Sequence, residues 1–223
     1  MFRSIQQLYG YKLFASDGEV GTVTDCYFDD HNWAVRYLVV DPGSRLPGRQ
    51  VLISPHSLSR LSQDRQVMWV GLTRKQIRNS PSIQSPKQVS RQFEEEYCRY
   101  YGLPCYWQGE ALWGMGDFPI LEGADISLPD QPLASRHGRN KPAETNLLST
   151  QAVIGCRPRV SDDSLGQFRD FMIDLQSWAI RQVVVKAGSR CSTAGLGIPT
   201  SRVDRISWEK SSMVINLTQE LVE

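Results

Sequence analysis

One segment of this chain occurs twice. Ser16 to Arg45 reads SDGEVGTVTDCYFDDHNWAVRYLVVDPGSR, and it returns as SDDSLGQFRDFMIDLQSWAIRQVVVKAGSR from Ser161 to Arg190. The correspondence runs without a gap from Gly10/Gly155 to Thr73/Thr218. A duplication sets unit size, boundaries and fold class together. Here it predicts two units of about 70 residues, at 1–79 and 150–223, joined by a linker over 80–149. Units that small bury a modest core, so each is expected to pack against a partner or against its twin.

Within the first copy, turn signals separate short runs of strand-forming residues. Lys12–Ala15 reads as a strand, followed by the turn Ser16-Asp17-Gly18-Glu19. Val20–Asp29 and Trp33–Val40 read as two longer strands, the latter WAVRYLVV, rich in β-branched and aromatic residues. Val51–Ile53, Leu58–Leu61 and Gln66–Val70 complete six, and Thr73 caps a helical turn to Arg78, with Gln76 placed to reach back. The second copy fills the same slots with Leu165–Asp174, Trp178–Val185, Gly197-Ile198, Val203–Ile206 and Met213–Leu217. Six short strands with no long helix between them predict a small antiparallel barrel or sandwich. Closure suits so small a sheet because it removes exposed edges.

The linker has two parts. Val89, Phe93, Tyr97 and Tyr100/Tyr101 fall on one face of a helix over 89–101, with Glu94, Glu95 and Glu96 near its start and Gly102 and Pro104 to end it. Trp107 to Ser149 is rich in Gly, Pro and polar residues and reads mostly as flexible spacer. Trp107 and Trp113 stand out there; they either fold back onto a barrel, the favoured reading, or form a partner-binding segment.

The bulk numbers exclude several classes. A net charge of +1, with basic residues spread along the chain, argues against a dedicated nucleic-acid surface. There is no apolar run long enough to span a membrane. The N-terminus MFRSIQQLYGYKL lacks the apolar stretch of a signal peptide, so the expected location is the cytoplasm. Five cysteines (Cys26, Cys98, Cys105, Cys156 and Cys191), odd in number and without C-x-x-C spacing, fit a reduced protein rather than a disulfide framework. Cys26 aligns with Phe171, which points to packing.

The repeat resembles the PRC-barrel family. The resemblance rests on the Asp17-Gly18-x-x-Gly21 turn and on Asp25 and Asp29. It extends through the Trp33-x-x-Arg36-x-Leu38-Val39-Val40-Asp41 strand to Val51–Pro55 and the Leu72-Thr73-Arg74 close. The stretch VSRQFEEEYCRYYGLPCYW is similar to the link in bacterial tandem PRC-barrel proteins. The resemblance implies an all-β chain of two six-stranded barrels joined by a linker with one helix. It also implies non-catalytic work. The same barrel serves in the cytoplasmic part of the photosynthetic reaction-centre H subunit and in the C-terminal domain of a ribosome maturation factor. The expected role is therefore a protein–protein interaction or assembly module. The alternatives are an accessory in ribosome assembly or RNA processing, and one in a reaction centre or electron-transfer chain. Copy two departs from the pattern at Asp163, Lys186-Ala187 and Cys191-Ser192-Thr193.

Candidate chemistry is weighed against that scaffold. Asp17, Asp25 and Asp29 recur as Asp162, Asp170 and Asp174. Converging carboxylates suit a divalent cation, but recurrence in both copies favours carboxylates that bond backbone amides at turns, and no metal is expected. Arg36 and Arg181 sit mid-strand among apolar residues and need a carboxylate. Asp25 or Asp29, and Asp170 or Asp174, are their expected structural partners. Trp33 and Trp178 are read first as packing residues, then as docking positions together with Trp107, Trp113, Arg45 and Arg49. His31, His56 and His137 have no ligand spacing, and no nucleophile or phosphate-loop motif occurs. No catalytic residue and no cofactor are expected. The partner is an unknown protein, with the barrels pairing either within the chain or as a homodimer.

Overall fold

The computed structural model describes residues 2–43, 49–81, 89–109, 111–114, 119, 147–156, 165–187, 195–209 and 212–217. The chain is mostly β-sheet. In the first half, β1 (Phe2–Ser4) and a 3-10 turn (Ile5–Leu8) precede β2 (Lys12–Ala15), β3 (Gly18–Asp29), β4 (Ala34–Asp41), β5 (Val51–Ile53), β6 (Leu58–Ser62), β7 (Val67–Val70) and α1 (Arg74–Arg78). The α1 helix begins with the reciprocal Thr73/Gln76 capping box. Helix α2 (Arg91–Tyr101) lies between the copies. It ends at Gly102, whose φ of 64° is the left-handed conformation glycine accepts at low cost. The second half holds β8 (Leu147–Ser149), α3 (Thr150–Val153), β9 (Leu165–Asp174), β10 (Ala179–Ala187), β11 (Gly195–Pro199), β12 (Val203–Glu209) and β13 (Ser212–Leu217).

Among the described residues eleven strands form one sheet, whose main path runs β1-β9-β10-β4-β3-β2-β7-β6. Strand β5 pairs with β4, β11 with β10 and β8 with β3, while β12 and β13 form a separate ladder. Among the described residues the sheet does not close on itself. In the first copy the ladder path β5-β4-β3-β2-β7-β6 has β5 and β6 at its two ends. These two strands are joined by the turn Ser54-Pro55-His56-Ser57, which passes the chain from one end of the path to the other. Gly21 sets the β3–β4 approach, because a Cβ there would lie 2.1 Å from the Asp41 carbonyl oxygen.

Strand β4 is buried on both faces, which explains its run of apolar residues. Val35, Leu38 and Val40, with Val51 and Ile53 of β5, point into the main core. Tyr37, Val39 and Leu52 point the other way, under α2, where Phe93, Tyr97 and Tyr101 cover them. The main core is shared between the copies. Phe28 and Phe171, from equivalent ends of β3 and β9, meet at 5.2 Å between ring centroids.

Two further features join the copies, and both obey a local two-fold. The first is a pair of reciprocal hydrogen bonds at Ala34/Ala179: Val35 N donates to Trp178 O at 2.9 Å, and Ile180 N donates to Trp33 O at 2.6 Å. Trp33 and Trp178 lie in the turn before the strand, not within it as the sequence pattern suggests. They have φ of 53° and 57°. That conformation costs a non-glycine residue about 1–2 kcal/mol, yet both copies keep it, and both tryptophan carbonyls accept from the opposite copy. The second feature is an exchange of N-terminal arms. β1, which opens the first half, pairs antiparallel with β9, and β8, which opens the second half, pairs with β3. Leu147–Ser149 thus leaves the linker and joins the first copy's sheet.

Candidate functional site

The charged centre of the molecule is Arg36. It projects from the middle of β4 and reaches Asp29, at the end of β3, across the β3–β4 turn. Arg36 Nη2 lies 3.0 Å from Asp29 Oδ2, and both side chains are fully buried. Asp29 also accepts from His31 N at 2.9 Å, Asn32 N at 3.3 Å and Asn32 Nδ2 at 2.8 Å. Burial alone would raise the Asp29 carboxyl. The Arg36 charge and these hydrogen bonds overcome it and hold Asp29 below the usual carboxylate range.

The remaining faces of the guanidinium are taken by the segment after α2. Arg36 Nη1 donates to Leu112 O at 2.6 Å. Its Cζ sits 3.9 Å from the Tyr106 ring centroid and 4.8 Å from that of Trp113. Trp113 stands edge-on to His56 at 4.7 Å, and its indole N–H donates to Ser177 O at 2.9 Å. Since Ser177 belongs to the second copy, Trp113 ties three parts of the chain together. The space left between Arg36, Tyr37, His56, Tyr97 and Trp113 is about 10 Å³, at most one water's worth.

Beside it lies a second buried charge. Glu94 faces inward from the first turn of α2 and is fully buried. It pairs with Arg91 at 3.1 Å and accepts from Tyr106 OH at 2.9 Å and Tyr37 OH at 3.3 Å. Burial pushes Glu94 up to about 7, against the opposing pull of Arg91 and the tyrosine hydroxyls. Arg91 in turn stacks on Trp107 at 4.0 Å. Tyr97 OH donates to Leu52 O at 3.2 Å and accepts from Ser54 N at 2.9 Å, fixing α2 to β5.

The second copy repeats the pair but not its setting. Arg181 Nη2 lies 3.6 Å from Asp174 Oδ2, and the arginine side chain keeps 30% of its exposure. Asp174 also accepts from Gln176 N at 3.2 Å and Ser177 Oγ at 2.9 Å.

Asp25 and Asp170, also offered to the arginines by the sequence, hold the exchanged arms instead. Asp25 accepts from Ser149 Oγ, from Thr150 Oγ1 at 2.8 Å and from Gln151 N at 3.0 Å. Asp170 accepts from Ser4 Oγ and from Gln6 N at 3.4 Å. Asp17 accepts from Arg74 N at 2.7 Å. Every one of the five described aspartates of the repeated set bonds a backbone amide. The sixth, Asp162, lies outside the described residues, as do Arg45 and His137.

Of the residues read as docking positions, Trp33, Trp178 and Trp113 are buried inside the chain, where they dock its own halves to each other. Trp107 packs half-buried against the core. Arg49 donates to Ser80 O. In the sequence Glu94 reads only as one of three acidic residues near the helix start, suited to its dipole, and Tyr106 carries no pattern of its own. The available signal was the contrast between copies: Tyr37 and Leu52, which α2 covers, become Gln182 and Gly197. A scan against protein-family models and a search of curated proteins both return no match.

Proposed function

We propose that this chain is a tandem PRC-barrel protein that acts in the cytoplasm as a rigid, non-enzymatic interaction and assembly module, each copy being a barrel-type unit. The observation that carries the reading is the Arg36 knot. The one fully buried cation of the described residues is spent on Asp29, the Leu112 carbonyl and two aromatic rings of the chain's own linker. Trp113 extends that knot to Ser177. Groups that elsewhere do chemistry here hold two copies and a linker as one body. A rigid body keeps the entropic cost of binding low, which suits a module that positions partners.

The test is recovery of a stoichiometric complex by tagged full-length chain from its native extract, rebuilt with the two purified proteins and sized by light scattering. A rebuilt complex supports the reading. A chain that retains nothing at stoichiometric level, or that turns over a small molecule, overturns it.

A further inference from the structure

Two cysteines meet where α2 ends. The helix stops at Gly102, and Gly102 N and Leu103 N both donate to the Cys98 carbonyl. Pro104 follows, and the chain turns back so that Cys105 lines the same groove as Cys98, where the two thiols interact electrostatically. The next turn is pinned: Gln108 N donates to Cys105 O at 3.0 Å. Gly114, at φ 68°, packs so closely on it that a Cβ there would lie 2.9 Å from the Cys105 carbonyl oxygen. Both cysteines line one open groove of about 440 Å³, with Arg99, Trp107 and Gln108 on its walls. Cys98 is buried, while Cys105 is half-exposed. A fixed pair of thiols at an open groove, one reachable and one behind it, is the arrangement that thiol–disulfide exchange needs.

We propose that Cys98 and Cys105 form a dithiol site that reacts with a low-molecular-weight disulfide and closes to an intramolecular disulfide. The Cys105 thiolate attacks one sulfur of the small disulfide and expels the first small thiolate. The Cys98 thiolate then attacks the Cys105 sulfur, forms the Cys98–Cys105 bond and expels the second. The two protein protons end on the two released thiols, the protein pair is oxidised and the small disulfide is reduced. Closure ties the segment that carries Tyr106 and Trp113 to α2, so oxidation tightens the clamp on Arg36. Burial pushes the Cys98 thiol up to about 12, so closure is the slower step and speeds up as pH rises.

The experiment uses the reduced full-length chain and oxidised glutathione, read by intact mass and peptide mapping. The expected product has lost two hydrogens, keeps no glutathione and carries Cys98 and Cys105 in one cross-linked peptide. In Cys98→Ser, glutathione stays on Cys105, and it forms there at least ~10-fold faster than on Cys98 in Cys105→Ser, as exposure dictates. Glutathione retained on wild-type Cys105, or a pair that stays reduced while the urea-unfolded chain reacts, overturns the proposal. So does faster capture at Cys98.

Discussion

Arg36 and Arg181 occupy the same position of the same repeat and face the same carboxylate, yet one is sealed and the other open. The difference comes from what lies outside the repeat. Tyr106, Leu112 and Trp113 seat on Arg36, and α2 covers the neighbouring Tyr37, Val39 and Leu52. The second copy has drifted accordingly. Gln182 and Gly197 stand where Tyr37 and Leu52 stand in the first, and both are exposed. Duplication thus preserved the ion pair, while the linker determined its environment, and environment governs the strength of an ion pair.

The sharpest way to break this comparison is to remove each arginine. Arg36→Met leaves Asp29 buried without its cation and should cost about 3–5 kcal/mol. Arg181→Met, at a half-open site, should cost about 1 kcal/mol or less. Urea unfolding midpoints at constant slope measure both. Equal losses would mean that the linker contributes nothing to the Arg36 site. The Arg36→Met loss should shrink in acid. Asp29 is held below its usual range, so its contribution is complete above the unfolded carboxylate range and fades as pH falls through the folded value.

Glu94, which lies outside the repeat, has the opposite sign. Its folded value of about 7 lies above the ordinary 4.5. Between those values the folded chain holds a proton that the unfolded chain has released, so stability falls as pH rises through the window, by on the order of 3 kcal/mol at most. Glu94→Gln keeps an acceptor for Tyr106 and Tyr37 and removes the titration. Its stability should be flat from about pH 5 to 7 where wild type declines, and it should equal or exceed wild type at pH 8. A matching decline in the variant would assign the slope to another group.

The exchanged arms offer a milder contrast. Asp25 receives two hydroxyls and two backbone amides, from Ser149, Thr150, Gln151 and its own neighbour Cys26. Asp170 receives one hydroxyl and two amides, from Ser4, Gln6 and Phe171, the Gln6 contact long at 3.4 Å. Asp25→Ala should therefore cost about 2–3 kcal/mol and Asp170→Ala about 1–2. Hydrogen exchange should localise the loosening to 147–153 in the first variant and 2–8 in the second. If either variant loosened the arm of its own half, the exchange would be wrong.

Much of the local structure was legible because it is set by short-range rules. The turn residues, the period-two runs, the Thr73/Gln76 cap and the Gly102 stop each act within a few positions. The partners of Arg36 were half legible: a mid-strand arginine demands a carboxylate, but choosing Asp29 over Asp25 depends on how β3 and β4 bulge past each other. The arm exchange was hidden. Phe2–Ser4 and Leu147–Ser149 are three residues each, too short for periodicity, and pair with strands more than a hundred residues away. The Trp33 and Trp178 backbone escaped for a different reason: tryptophan at positive φ goes against its propensity, and only the tertiary hydrogen bonds of the two-fold justify it.

The smallest predicted effect tests the outer surface. Val51 and Leu196 are equivalent, and each pairs with the valine at the same point of its neighbouring strand, Val40 and Val185. Val51 is fully buried, whereas Leu196 stays 45% exposed between Gly195 and Gly197. Gly197 replaces Leu52, so β11 lacks the outward side chain that α2 grips on β5. An exposed leucine that touches little should be replaceable, and Leu196→Ser should shift stability by about 0.5 kcal/mol or less. A loss like that of a core leucine, about 2–5 kcal/mol, would show that β11 is covered in solution. The asymmetry between the copies would then be confined to Arg36 and its linker.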